Sequence, residues 1–185
     1  MAKAAIVTAS DSGIGKACAL QLAKAGFDIG ITWHSDEQGA RDTAREVESH
    51  GVRAETLQLD LSQLPQGAQA LEHLIARFGR IDVLVNNAGT MSKSAFLETS
   101  FDDWRQIFTV DVDGAFLCSQ LAARQMVKQG QGGALSILPR CTNIPRYLRP
   151  APTRRRNMLS ADSPKPWRLS WSAITFWLTL WRLGR

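Results

Sequence analysis

The chain has 185 residues, 44% of them hydrophobic, and a formal net charge of +5, which suits one domain with a sizeable core. Its three cysteines (Cys18, Cys118, Cys141) have neither metal-ligand spacing nor a paired framework, so zinc-ribbon and disulfide scaffolds are excluded and a reducing compartment is expected. The amino terminus, MAKAAIVTAS, lacks signal-peptide architecture, and no apolar run reaches the ~18 residues of a membrane span, so a soluble, cytoplasmic protein is the expectation.

In chain order, residues 4–8 (AAIVT) form a short apolar run ending in small polar residues, the pattern of a buried parallel strand. Residues 13–25 carry Ile14, Ala17, Leu20, Leu22 and Ala23 at helical spacing. A second strand is predicted over 29–33, a helix opening with acids over 36–49, a third strand over 53–59 and a helix over 64–78. Residues 81–89 (IDVLVNNAG) read as a fourth strand that breaks at Gly89, and residues 101–127 as one long helix capped near Ser100 and Asp102. A fifth strand is predicted over 134–138. Strands alternating with helices of this length imply an α/β fold with a doubly wound parallel sheet, because right-handed crossovers cover both faces.

The loop at residues 8–15 (TASDSGIG) leads from the first strand straight into a helix. Gly13 and Gly15 remove side chains where a backbone could approach a pyrophosphate, and the helix start offers free N–H groups and a positive dipole end. The same residues also read as an ordinary strand–helix turn holding two glycines.

Two further motifs follow in order, Asp60-Leu61 after the third strand and NNAG (86–89) after the fourth. Together with the glycine loop, their spacing resembles the short-chain dehydrogenase/reductase family over residues 3–138, with the flavour of bacterial acetoin reductase-like members. The resemblance implies a Rossmann-type domain over 1–138 that binds NAD(P) and acts on a small alcohol or carbonyl. It implies cofactor contacts from Thr8, Ser10, Ser12, Gly13, Ile14 and Gly15, adenine contacts from Asp60 and Leu61, and a cofactor-lining role for Asn87, Ala88 and Gly89. Asn87–Gly89 would also brace the central strand. The family's glycine motif is TGxxxGIG, and Ala9 stands at its first glycine, where a small residue is expected to serve. An acid at the end of the second strand would favour NAD. Here His34 and Ser35 stand there, where NADP-dependent members often place Arg and Ser, so NADP is favoured with NAD open. His34 also reads as an exposed loop residue, and Asp36 and Glu37 as helix N-terminal acids.

The family's chemistry uses a tyrosine, a lysine four residues later, a serine about 13 residues earlier and an asparagine in the preceding long helix. A nearby cation is what lets a phenol ionise near neutral pH. Asp111 occupies the asparagine position. The only tyrosine is Tyr147, four residues before Ala151, so no Tyr-x-x-x-Lys exists in this sequence. The family's later Pro-Gly is missing as well. Poor folding, weak cofactor binding through the adenine half and no turnover are therefore expected, either of an inactive reductase relative or of a cofactor-binding remnant.

Composition changes sharply at the same place. Residues 134–185 hold ten of the lysines and arginines against one acid, Asp162, together with six of seven prolines and four of six tryptophans. Residues 139–185 are expected to be irregular. Their cations and aromatics could serve as a nucleic-acid arm or a membrane-surface segment. A different origin accounts for more: translated one nucleotide out of phase, ALSILPR is permitted by bases that in phase read R-I-I-N-I-T-S. APTRRRNM is likewise permitted by bases that read A-Y-T-A-A-K-H. The expected partners are thus a small-molecule substrate, with no nucleic acid and no membrane. The homo-oligomer typical of the family is doubtful for a sheet left incomplete at its carboxyl-terminal side.

Overall fold

The computed structural model describes residues 2–138, except 92, 93 and 95. The predicted tail, with Tyr147 and the arginine cluster, lies outside the described residues. Five strands, β1 (Ala4–Val7), β2 (Asp28–Trp33), β3 (Ala54–Gln58), β4 (Val83–Asn86) and β5 (Ala134–Ile137), alternate with helices α1 (Gly13–Lys24), α2 (Glu37–Glu48) and α3 (Gln66–Phe78). Between β4 and β5 come a short 3-10 turn (Phe96–Glu98), α4 (Phe101–Phe108), a π-helical turn (Thr109–Gly114) and α5 (Ala115–Gln129).

All strand pairs are parallel, and the order is β3-β2-β1-β4-β5. This is the doubly wound α/β sheet expected from the sequence. Chain order reverses between β1 and β4, where such sheets open a crevice at their carboxyl ends.

Two cores explain why the strands read as apolar runs. Ile6, Leu84, Leu71, Leu74, Cys118, Ala122 and Met126 fill the face under α3 and α5, whereas Ala5, Val7, Ile29, Ile31, Val85, Ala19, Ala23 and Val47 fill the face under α1 and α2. Successive β1 residues alternate between them, as a pleat requires. Each fully buried Leu or Ile stabilises by about 1.5–3 kcal/mol. The Cys118 thiol belongs to this core, and burial pushes its pKa up to about 12. It is a packing residue, with no nucleophilic character near neutral pH.

Strand starts are tied together at the amino-terminal edge of the sheet. The Asp82 carboxylate accepts from Ala4 N at 2.8 Å and takes a fork of two bonds from Arg80, at 2.8 and 2.6 Å. Among the described residues β5 pairs with β4 alone, and Ala134, Ser136 and Ile137 are exposed.

The structure corrects the long helix predicted over 101–127. Its start is as expected, with Ser100 Oγ accepting from Asp103 N at 3.0 Å. Between α4 and α5, however, the π-helical turn Thr109–Gly114 widens the helix at Asp111. Hydrophobic periodicity sees only a continuous amphipathic stripe and cannot register one inserted residue. Smaller differences lie at element ends: α3 begins at Gln66, after Pro65, and β3 spans Ala54–Gln58.

Candidate functional site

The loop between β1 and α1 is held from both sides. Thr8 is buried, and its hydroxyl accepts from Asn87 N (2.9 Å) and Ala88 N (2.8 Å) across the crevice. Asn87 Nδ2 returns bonds to the carbonyls of Thr8 (3.0 Å) and Ala9 (2.9 Å). On the other side Ser10 Oγ donates to Val7 O and accepts from Thr32 N, while Thr32 Oγ1 accepts from Ala9 N at 3.1 Å. Asn87 thus braces the central strand directly. The Thr8 and Ser10 hydroxyls are both engaged inside the loop rather than offered at its surface.

Ala9 holds the backbone at φ +49°. The expectation that this position needs only a small residue is therefore corrected: it needs the left-handed conformation that glycine adopts freely and alanine adopts at a cost of about 1–2 kcal/mol. Gly15 answers a different demand. A Cβ there would lie 2.2 Å from Ala9 O and 2.6 Å from Asn87 Nδ2, so the first turn of α1 is pressed onto the loop.

Ser12 sits at the N-cap of α1 without a side-chain cap bond, its hydroxyl turned to Asp11 Oδ2 at 3.3 Å. The hydroxyl that could have satisfied the first-turn amides is turned elsewhere, and the helix carries no acid in that turn. Ile14 is exposed beside it. A bare helix start against a backbone cradle is the arrangement that receives a phosphate.

Next to it lies a cavity of about 210 Å³ at the carboxyl ends of β1 to β4. Ala9 and Thr32 form one wall, Asp60 and Leu61 another, and Ala88, Gly89 and Thr90 a third. His34 and Asp60 meet at its mouth, with Nε2 and Oδ1 3.5 Å apart, and both are partly exposed. Bonds from the Ser62 hydroxyl (2.6 Å) and Ser62 N (2.9 Å) hold the Asp60 carboxyl below the usual carboxylate range, and His34 adds a smaller attraction. His34 is fixed from behind by Gln58 Nε2, which donates to its carbonyl at 2.9 Å. Asp36 caps α2, accepting from Gly39 N at 2.8 Å, and so serves its helix as expected.

Asp111 lies on the π-helical turn, and its Oδ1 accepts from Thr90 N at 2.7 Å. The turn ends at Gly114, where a Cβ would come within 2.9 Å of Leu61 Cδ1. The bulged helix is thereby docked on both the NNAG loop and the cavity floor. Bulges of this kind are concentrated at functional sites.

Residues 3–146 match the family model described as short chain dehydrogenase. The chain belongs to the short-chain dehydrogenase family. The uncharacterized oxidoreductase YohF of Escherichia coli (strain K12) is 77% identical over 135 residues, covering 73% of this chain and 53% of that protein. The crystal structure of acetoin dehydrogenase YohF from Salmonella typhimurium superposes with a TM-score of 0.72 at 72% identity, covering 74% of this chain and 54% of that one. A short chain dehydrogenase from Burkholderia cenocepacia J2315, solved in complex with NADP, is 34% identical with a TM-score of 0.64, covering 66% of this chain and 50% of that one. The chain spans about half the length of the curated relatives it matches.

Within this family framework the structure brings the glycine loop, Asp60-Leu61, His34 and Asn87–Gly89 around one crevice, with Asp111 one bond away. The sequence reading missed Thr32, Ser62, Thr90, Gln106 and Val110. Thr32 and Ser62 were legible as polar residues at strand ends. Gln106 and Val110 line the cavity from a helix far along the chain, which no local pattern reveals. Among the described residues no group of three or more His, Cys, Asp or Glu could hold a metal, and no helix is long and apolar enough to cross a membrane.

Proposed function

We propose that this chain is the cofactor-binding half of an NADP-dependent reductase of small carbonyl compounds, and that as written it binds cofactor without turning over substrate. The observation that carries the reading is the bare α1 start beside a cavity framed by four strand ends. Gly15 presses the backbone into the cradle, and Asn87 locks it. Bound there, the reduced nicotinamide cofactor would supply a hydride to a carbonyl carbon, and a separate acid or water would supply the proton that completes the alcohol.

The chain's own residues would divide the binding work. The first-turn amides from Gly13 to Gly15 would face the pyrophosphate, with Ser12 and Ile14 flanking it. Asp60 and Leu61 would face the adenine, and Ala88 and Gly89 would line the ribose side. His34 supports NADP over NAD, since the end of β2 offers an imidazole where an NAD-selecting site places an acid. NAD remains the second reading, favoured by the Asp60 carboxylate near that corner. Asp111 acts as a positioning residue, holding the Thr90 amide and with it the NNAG loop.

The substrate class is a small hydroxyketone or its dicarbonyl partner, in line with the acetoin dehydrogenase named among the solved relatives. We place the protein in the cytoplasm and expect no homo-oligomer of the family type, because among the described residues β5 pairs with β4 alone. The test is titration of the purified chain with NADPH, followed by fluorescence, beside an absorbance assay with acetoin and the diketone. Saturable binding without cofactor oxidation is expected. Absent binding overturns the cofactor site, and measurable turnover overturns the inactivity.

A further inference from the structure

We infer that the codons after about residue 133 are read one nucleotide out of phase, and that the restored phase encodes the serine, tyrosine and lysine of the site proposed above. The inference rests on that family reading for the identity of the three residues, and on independent observations for the phase.

The first observation is β5 itself. Parallel strands inside a doubly wound sheet are near-continuous apolar runs, as β1 is, with all four residues buried. β5 reads ALSI, and three of its four residues are exposed. Leu135 packs towards the α3/α5 core and Leu138 towards the α1/α2 core, so both faces of this segment meet apolar surroundings. In the register Leu84↔Leu135 and Val85↔Ser136, the restored string R-I-I-N-I-T-S puts isoleucine at the positions of Leu135, Ser136 and Leu138. The gain is confined to the face of Ser136 and Leu138, which takes two isoleucines under α1 and α2, while asparagine stands at the position of Ile137.

The second observation is the composition break. Identity of 77% holds over 135 residues of a 185-residue chain, the family model matches residues 3–146, and composition reverses after about residue 133. Out-of-phase translation explains the reversal: an alanine codon GCG followed by G is read as CGG, arginine, and any codon ending TG followed by G is read as TGG, tryptophan. Arg155, Trp167 and Trp171 are the products expected.

The third observation is spacing. A serine codon fits across the codons of Pro139 and Arg140, a tyrosine codon across Pro152 and Thr153, and a lysine codon across Arg156 and Asn157. Tyrosine falls 13 codons after serine and lysine four after tyrosine. The segment TLWRLGR permits N-A-V-A-P-G-A, which restores the Pro-Gly. Degeneracy allows single coincidences, but it does not readily yield these landmarks in order at these separations. The arginine cluster is then a consequence of phase, and it owes nothing to a nucleic-acid or membrane partner.

The gene's nucleotide sequence tests this directly. We expect T as the third base of the Pro139 and Pro152 codons, CG opening the Arg140 codon, A as the third base of the Arg156 codon, and an open restored phase beyond codon 185. Any other base at those positions, or a stop in the restored phase before the tyrosine codon, overturns the inference. A one-nucleotide insertion ahead of codon 134 should then raise NADPH-dependent carbonyl reduction by at least about 10²–10⁴-fold over the 185-residue chain, the usual contribution of a positioned acid–base pair. Correct bases without that gain overturn the catalytic assignment alone. NADPH binding by the unaltered chain tests the proposed cofactor site separately.

Discussion

Gly15 and Asn87 meet across the crevice: a Cβ on Gly15 would lie 2.6 Å from the Asn87 amide nitrogen, which itself bonds the carbonyls of Thr8 and Ala9. The start of α1, proposed above to face a phosphate, and the loop that closes the cavity are therefore one mechanical unit. Gly15→Ala is expected to force the two apart. Overpacking of this kind costs about 1–3 kcal/mol, and urea denaturation should show it. NADPH affinity should fall with it by tenfold or more. A variant as stable and as tight as the parent would show that the contact is not needed.

Ala9 predicts a change of opposite sign. Its φ of +49° costs a side-chain-bearing residue about 1–2 kcal/mol, partly offset by the extra chain entropy that glycine loses on folding. Ala9→Gly should therefore stabilise the protein by about 0.5–1 kcal/mol while leaving the Thr32 and Asn87 bonds in place. Thermal unfolding measures this. A lowered midpoint would contradict the strained-turn reading.

Acid sensitivity should centre on Asp82. Burial alone would raise its carboxyl pKa, but the Arg80 fork and the Ala4 amide outweigh burial and hold it below the ordinary range. A depressed folded-state pKa means the contribution is fully present above the unfolded value of about 3.9 and is lost as pH falls through the lower folded value. Asp82→Asn removes the charge at all pH values, so its cost should be about 1.5–3 kcal/mol near pH 7 and shrink below pH 4. Equal destabilisation at pH 7 and pH 3 would exclude this origin.

How much of this was legible follows from what each signal encodes. The apolar runs of β1, β2 and β4 announced the parallel sheet because both faces of each are covered. Gly13, Gly15 and the NNAG run announced the crevice because backbone approach and strand-end bracing demand those residue types. The π-helical turn was not legible, since the stripe Phe101, Trp104, Phe108 and Val112 is compatible with an unbroken helix. Nor was the His34–Asp60 meeting, which depends on β2 and β3 ending side by side. Ala9 misled for a physical reason, because size is visible in a sequence whereas φ is not.

His34 decides the cofactor prediction. Its imidazole sits at the cavity mouth 3.5 Å from Asp60, at the strand end where a ribose 2′ substituent is met in folds of this kind. A phosphate there gains a donor from His34 and meets repulsion from the Asp60 carboxylate, whereas a bare hydroxyl meets an acceptor. His34→Ala should therefore weaken NADPH binding by about fivefold, equivalent to about 1 kcal/mol, and leave NADH nearly unchanged. His34→Arg should strengthen NADPH binding through a permanent charge and a planar fork suited to phosphate. Asp60→Asn, which removes the repulsion, should narrow any preference for NADH. Paired titrations with the two cofactors check all three variants. If NADPH and NADH affinities move together in His34→Ala, the residue serves only the loop and the NADP preference lies elsewhere.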